Sequence, residues 1–225
     1  STAMANPQTY QICTETVMDT SDPDIRFDTD GVCHHWHEFQ ERLGKELYHG
    51  EDGLQRALEM AEDIKKETES KEYDCLIGLS GGVDSSYVAW LLVKELGLRP
   101  LAVHMDNGWN SELAVSNIER IVKKLDIDLY TEVLDWEEFR ELQKAFFRAS
   151  VGNVEMATDH AINATLFAQA RKQGIRHILS GSNLNSEGIV QHGGWAHDNK
   201  DWPNLRDINR ACGTRKLVTY PRLTP

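Results

Sequence analysis

An apolar run from Tyr73 to Leu79 is followed at once by Ser80-Gly81-Gly82-Val83-Asp84-Ser85-Ser86, and then by a second apolar-periodic run from Tyr87 to Leu96. That order predicts a strand, a tight loop and a helix. Two adjacent glycines remove the Cβ atoms that would hold an anion away from the backbone. The loop amides and the helix N-terminus can then offer several N–H donors and a positive dipole end to it. Ser80, Ser85 and Ser86 add hydroxyl donors. Asp84 favours the helix start and, with a phosphate bound, can hold Mg²⁺ against it. The combination predicts a pyrophosphate cradle, the plain alternative being a strand-to-helix turn with serine caps. The loop has no G-x-x-x-x-G-K-[ST] lysine, so γ-phosphoryl transfer is not the chemistry it suggests.

The segments around this loop alternate in the manner of an open parallel sheet with helices on both faces. Leu54 to Lys66 carries a helical apolar stripe, and Pro100 to Met105 reads as the second strand. Ser111 opens a helix to Leu125, Ile127 to Leu134 is the third strand, and Asp135 caps a helix to about Ala149. Thr158 or Asp159 is expected to start a helix ending at Gln173, before a fourth strand from Ile175 to Leu179. Asn204 to Cys212 reads as a short helix and Lys216 to Tyr220 as a last β-prone segment.

In such a sheet ligands bind beyond the carboxyl ends of the strands, at the switch point. That places Asp106, in the turn-forming Asp106-Asn107-Gly108-Trp109, beside a nucleotide. It also brings Gly181, Ser182, Asn183 and Glu187 toward the loop, with Glu187 able to complete a Mg²⁺ site facing Asp84. Trp109 can stack on a base or pack as core. Asp159 and His160 are candidates to face the site, although N-capping alone accounts for the acidic residue. Lys216 can reach the phosphates or lie on the surface. Residues 189–204, rich in Gly, His, Trp and Asn, have the composition of a lid or binding loop.

The stretch from Tyr10 to Glu38 shows no sustained periodicity and is full of turn formers, which predicts a loop-rich N-terminal segment over residues 1–50 ahead of a domain over 51–225. Cys13 and Cys33 with two of His34, His35 and His37 could make a Cys₂His₂ zinc site; the alternative is a metal-free segment held by packing. Four scattered cysteines are too few for a disulfide scaffold in 225 residues. The net charge of −12 disfavours a nucleic-acid substrate. No apolar run approaches the ~18–20 residues of a membrane span. The expected location is cytoplasmic.

The S-G-G-V-D-S-S loop resembles that of the PP-loop ATP pyrophosphatases, which split ATP into AMP and pyrophosphate while adenylating a carbonyl-type oxygen. Further stretches narrow the likeness: Cys13 to Ile25, Asp30-Gly31-Val32-Cys33, His104 to Trp109, Thr158-Asp159-His160-Ala161-Ile162, and Ser180-Gly181-Ser182-Asn183 followed by Glu187-Gly188. Together they resemble the WbpG-like N-acetyl sugar amidotransferases of lipopolysaccharide and O-antigen biosynthesis. The resemblance implies a doubly wound, mostly parallel α/β fold of the adenine nucleotide alpha hydrolase type. It implies ATP and Mg²⁺ as cofactors, and conversion of the N-acetyl group of a nucleotide-linked or related sugar to an acetamidino group. It further implies ammonia delivered by a separate glutaminase with a cyclase-like companion. Carried onto this chain, Ser80, Gly81, Gly82, Asp84, Ser85, Ser86, Asp106, Gly181 and Ser182 would bind the nucleotide. Asp84, Ser85 and Lys216 would be catalytic, Asp159, His160 and Asn183 would bind substrate, and Asp84 with Glu187 would hold Mg²⁺.

Thr16 and Trp36 stand where that family usually completes two C-x-x-C pairs, and family chains usually continue beyond Leu223, so a C-terminal portion is expected to be missing. Two other readings share the loop: a PP-loop enzyme that thiolates tRNA, and a nucleotide-binding module without turnover.

Overall fold

The computed structural model describes residues 9–189 and 198–223, and the chain divides into two compact units, Ser1–Gly53 with Ser182–Ala196 and Leu54–Gly181 with His197–Pro225. The larger unit holds a four-stranded, all-parallel sheet in the order β3-β2-β1-β4, formed by β1 (Cys75–Gly78), β2 (Pro100–Asp106), β3 (Leu129–Val133) and β4 (Ile178–Leu179). Alternate side chains along β1 and β2 serve opposite faces. Cys75, Ile77 and Ala102 join one core with α2 (Gly50–Glu67, through Ala61 and Ile64), α3 (Val83–Trp90) and α4 (Glu112–Leu125). Leu76, Leu101 and Val103 join the other, beneath α6 (Met156–Gln173, through Ala170). The sheet is thus wound on both sides, as its continuous apolar strands require.

Two local signals fixed helix starts as expected: Ser111 Oγ accepts from Ala114 N–H at α4, and an Asp135 carboxylate oxygen accepts from Glu138 N–H at α5 (Trp136–Arg148). Other elements differ from expectation. The helix expected to Leu96 ends in a wide π turn over Leu91–Glu95, closed by Leu96 N–H to Leu91 C=O at 3.0 Å. α6 begins at Met156, before Thr158, because Glu155 and not a side-chain cap precedes it. β4 pairs only through Ile178 and Leu179.

Lys216 to Tyr220 forms no strand. The amides of Val218, Thr219 and Tyr220 all donate to the buried Glu138 carboxylate on α5 at 3.0–3.1 Å, so a side chain 80 residues away takes the donors that a neighbouring strand would have used. This segment, α5, α6 and α8 (Trp202–Cys212) close a further core around Met105 and Leu134, at the carboxyl ends of β2 and β3.

In the smaller unit residues 9–33 carry turns and two isolated bridges, Ile12 with Asp19 and Phe27 with Cys33. α1 (His34–Glu46) then begins inside the stretch that lacked periodicity, with His35 and Phe39 buried. The short α7 (Leu184–Glu187) belongs to this unit, where Arg42 Nη1 donates to Gly188 C=O at 3.0 Å. Among the described residues no helix is long and apolar enough to cross a membrane.

At the amino edge of the sheet the buried Asp74 carboxylate receives Thr68 Oγ1–H, Arg99 N–H and the Arg99 guanidinium at 2.6–3.1 Å. Burial pushes this carboxyl up, but the hydrogen bonds from Arg99 and Thr68 outweigh it and leave it below its ordinary value of 3.8. A lowered folded value means the contribution to stability is complete above that ordinary value and is lost as pH falls through the folded one. Asp74→Asn is therefore expected to cost about 2 kcal/mol at pH 7, screened in part through the half-exposed Arg99 side chain. The difference from the parent chain should shrink below pH 4 when urea unfolding is repeated there; a pH-independent difference would contradict this account.

Candidate functional site

The loop between β1 and α3 stands at the switch point, since β2 lies on one side of β1 and β4 on the other. Leu79 is buried and anchors the loop, while Ser80, Gly82, Val83 and Asp84 are exposed. Gly81 adopts a left-handed φ of +77°, and a Cβ there would lie 2.4 Å from the Ala114 carbonyl oxygen of α4. Its own carbonyl accepts from Asn117 Nδ2 at 3.1 Å. The first glycine is thus demanded by the fold. The second is not: a Cβ on Gly82 meets nothing closer than Ser80 Oγ at 3.4 Å, and its φ of −78° suits any residue.

What a side chain at position 82 would obstruct is the space in front of the helix. α3 opens with Gly82 as N-cap and no side-chain cap, leaving its first amides to an external acceptor. Ser80 and Ser85 hydroxyls lie 3.1 Å apart, with Ser80 N–H donating to Ser85 Oγ at 3.3 Å, and Ser86 Oγ–H donates back to Gly82 C=O. The hydroxyls are therefore ordered around the loop. This arrangement fits a phosphate chain: orphan amides, oriented hydroxyls and an open approach over a glycine.

The loop after β2 is tied to this one through the buried His104. Its Nδ1–H donates to Leu79 C=O at 2.9 Å, and its Nε2 accepts from Asn110 Nδ2 at 3.2 Å. Asn110 also donates to Asp106 Oδ1, which receives Gly108 N–H at 2.9 Å as well. Asp106 therefore makes the turn, and its Oδ2 has no protein partner among the described residues. The sequence reading passed over His104; its place one strand away from Leu79 was the signal. Trp109 resolves as neither core nor free plate. Its indole N–H donates to Gln143 Oε1 at 3.0 Å and its edge meets Trp136 at 5.4 Å, with 65% of the residue exposed.

The other expected site residues separate into groups. Gly181 lies against the loop, but its missing Cβ serves packing: a Cβ there would be 3.2 Å from the Asp84 carbonyl and from Val88 Cγ2. Ser182, Asn183 and Glu187 belong to the smaller unit. There the Asn183 side chain caps α7 by accepting from Asn185 N–H, and Glu187 Oε2 accepts from Asn183 N–H at 3.3 Å, so the carboxylate expected to meet Mg²⁺ closes its own helix.

The expectation that His160 binds substrate is corrected. It is fully buried, its Nδ1–H donating to Asn199 C=O at 2.9 Å and its Nε2 accepting from Leu223 N–H at 3.2 Å, in a cluster of rings with Trp202 and Tyr220. Burial holds its imidazole below its ordinary value, hence neutral. Asp159 accepts from Asn199 Nδ2 at 2.8 Å, and burial raises its carboxyl. Lys216 lines a pocket beside α8 together with Arg206, Arg210, Arg215 and Arg222. Half of the expected lid, residues 190–197, lies outside the described residues.

The cysteines and histidines named for a zinc site, with a metal-free segment as the alternative, have separate partners. Cys13 and Cys33 do meet, with Cys33 N–H donating to Cys13 Sγ at 3.2 Å. Burial pushes the Cys13 thiol up, but hydrogen bonds from Thr16 and from the amides of Cys33 and Glu15 bring it down to about 7. The histidines go elsewhere, His35 to buried Asp22 at 2.8 Å and His37 to Asp28 at 2.7 Å. Among the described residues the trio able to converge on a metal is His34, His35 and Glu38, without either cysteine.

Sheet order, switch-point loop and uncapped helix define an α/β protein of the phosphate-cradling PP-loop kind. A family model described as NAD synthase matches residues 56–186, and the chain belongs to that family, within the PP-loop ATP pyrophosphatase superfamily. Among curated proteins it is similar to the tRNA-specific 2-thiouridylase MnmA of Chlamydia abortus, 39% identical over 75 residues, covering 29% of this chain and 20% of that protein. Among solved structures it is similar to the NMN synthetase of Francisella tularensis, with 21% identity, 58% of this chain and 53% of that one covered, and a TM-score of 0.43. The NH₃-dependent NAD synthetase of Campylobacter jejuni gives 16% identity, coverage of 70% and 72%, and a TM-score of 0.45. The chain thus spans one-fifth of the curated relative and about half of the first of these structures.

The two loop glycines predict opposite behaviour. Gly81→Ala must move α4 or the loop and is expected to lower stability by more than about 1 kcal/mol in a urea melt. Gly82→Ala should fold within about 1 kcal/mol of the parent yet lose ATP binding in calorimetry. Unimpaired ATP binding by a folded Gly82→Ala chain would remove the cradle assignment.

Proposed function

We propose that this chain is an ATP-dependent amidotransferase. It adenylates the amide oxygen of an N-acetyl sugar and lets ammonia displace AMP, leaving an acetamidino group on a sugar destined for surface polysaccharide. The observation that carries the ATP half is the open, uncapped start of α3 behind Gly82 at the switch point. An amide oxygen is a poor leaving group, and adenylation makes it a good one. The amides from Gly82 onward and the hydroxyls of Ser80, Ser85 and Ser86 stabilise the charge that develops on pyrophosphate as it departs. Asp84, exposed in the first turn, would hold Mg²⁺, which supplies further neutralisation of that charge. Asp106, fixed by Gly108 and Asn110, keeps one carboxylate oxygen for the nucleotide.

The sugar half rests on the resemblance of the stretches from Cys13 to Gly188 to the sugar amidotransferases. That reading makes a glutaminase with a cyclase-like companion the source of ammonia and the cytoplasm the place of action. A second reading, thiolation of tRNA, is favoured by the 39% identity to a tRNA 2-thiouridylase over 75 residues. The net charge of −12 weighs against it.

Pyrophosphate release from ATP, Mg²⁺ and ammonium separates the two. It should rise with UDP-linked N-acetyl sugars and not with bulk tRNA, and Asp84→Ala should lower it by about 10² or more. Release that depends on tRNA would replace the sugar reading. ATP binding with silence toward both would leave a nucleotide-binding module without turnover.

A further inference from the structure

The chain carries an excess of acidic residues, yet five cationic side chains gather on one concavity. Arg206 and Arg210 of α8, Arg215 and Lys216 after it, and Arg222 line a pocket of about 430 Å³ together with Trp202. Among the described residues no carboxylate lines it. Three of the five have an acidic neighbour at 3.5–3.6 Å, each shared with a second cation, and Glu141, which accepts from Thr214 Oγ1 at 2.7 Å, is already paired with Lys144. Asp207 stands 3.5 Å from both Arg206 and Arg210, while Glu137, 3.6 Å from Arg215, is already paired with Arg140 at 2.7 Å. Arg222 lies over the Trp202 ring, 5.9 Å from its centroid. Like charges lining one concavity repel one another unless an anion joins them, and the hydrogen bonds from residues 218–220 to Glu138 order the backbone between Lys216 and Arg222.

Two features choose the anion. The concavity has the volume of a small-molecule site, where an RNA backbone needs an extended basic stripe. Five cations exceed what one phosphate can engage, whereas adjoining phosphates offer planar guanidinium groups several paired acceptors. Two residues that line the pocket, Trp202 and Leu217, also pack against the core that holds Met105 and Leu134.

We infer that this pocket binds the diphosphate of a nucleotide-linked sugar, the acceptor of the amidation; the sugar part of this inference rests on the function proposed above. The cradle then takes ATP and the α8 pocket takes the anionic handle of the second substrate, two phosphate sites on separate elements of one unit.

The test is calorimetric titration of the full chain with UDP-N-acetylglucosamine, with free N-acetylglucosamine as comparator, in the parent and in an Arg206→Gln/Arg215→Gln variant. ATP is titrated separately and thermal unfolding recorded. The expected result is binding of the nucleotide sugar that weakens by about tenfold or more in the variant and with added salt, while ATP binding and unfolding stay unchanged. Free N-acetylglucosamine should bind at least about tenfold more weakly than its nucleotide form. Equal affinity in parent and variant would overturn the inference, and so would a tRNA transcript that binds the parent, fails on the variant and is not matched by any nucleotide-sugar binding. Diphosphate binding lost in the variant without any ammonium-dependent pyrophosphate release would leave the anion site standing and the amidation fallen. Amidation of a nucleotide sugar with unchanged KM in the variant would do the reverse.

Discussion

The contact of Gly81 with the backbone of Ala114 is the constraint from which the carboxyl edge is built. It sets where the chain leaves β1 and where α4 begins, and the Asn117 side chain locks the same peptide from the helix side. From the other flank His104 holds Leu79 C=O, and Asn110 links that histidine to Asp106. The loops after β1 and β2 are therefore one hydrogen-bonded body. An anion held there meets donors already in place, which is what gives fixed dipoles their strength in a catalytic site.

A second body surrounds the ends of β2 and β3. Its core is apolar, but three polar devices order its rim. The Glu138 carboxylate gathers three successive amides, His160 joins the segments at Asn199 and Leu223, and the Tyr220 hydroxyl donates to Ala157 C=O. Each replaces regular secondary structure that the chain does not form there. A buried polar group whose partners are all supplied specifies one arrangement of the segments around it.

What was legible in the sequence was local. The strand-loop-helix at Tyr73 to Leu96, the caps Ser111 and Asp135, and the alternation of apolar strands with amphipathic helices depend on near neighbours, and they stand in the fold with small shifts of boundary. What was not legible depends on partners far along the chain. Lys216 to Tyr220 has strand-like residues, and nothing nearby announces that Glu138 takes its amides. His160 looks like a ligand-facing histidine until Asn199 and Leu223 occupy both nitrogens. The His-rich start of α1 hides its helical period because three of its first four residues are histidines. Glu187 was read toward a metal, yet the nearest donor to its carboxylate is the amide of Asn183. Of the candidate site, the phosphate loop could be read directly, and the basic pocket could not. Its five cations are spread over residues 206–222, on α8 and the irregular segment that follows it.

The two adjoining glycines of the loop are held by different masters. Collision with a neighbouring backbone imposes Gly81, as collision with the Trp136 ring imposes Gly108 at a φ of +82°. The protein itself places no such demand on Gly82. In a lineage that kept this fold but abandoned its chemistry, positions 81 and 108 would stay glycine while position 82 drifted. A comparison of descendants at these three positions would therefore record, without any assay, whether selection was still maintaining the phosphate site or only the architecture around it.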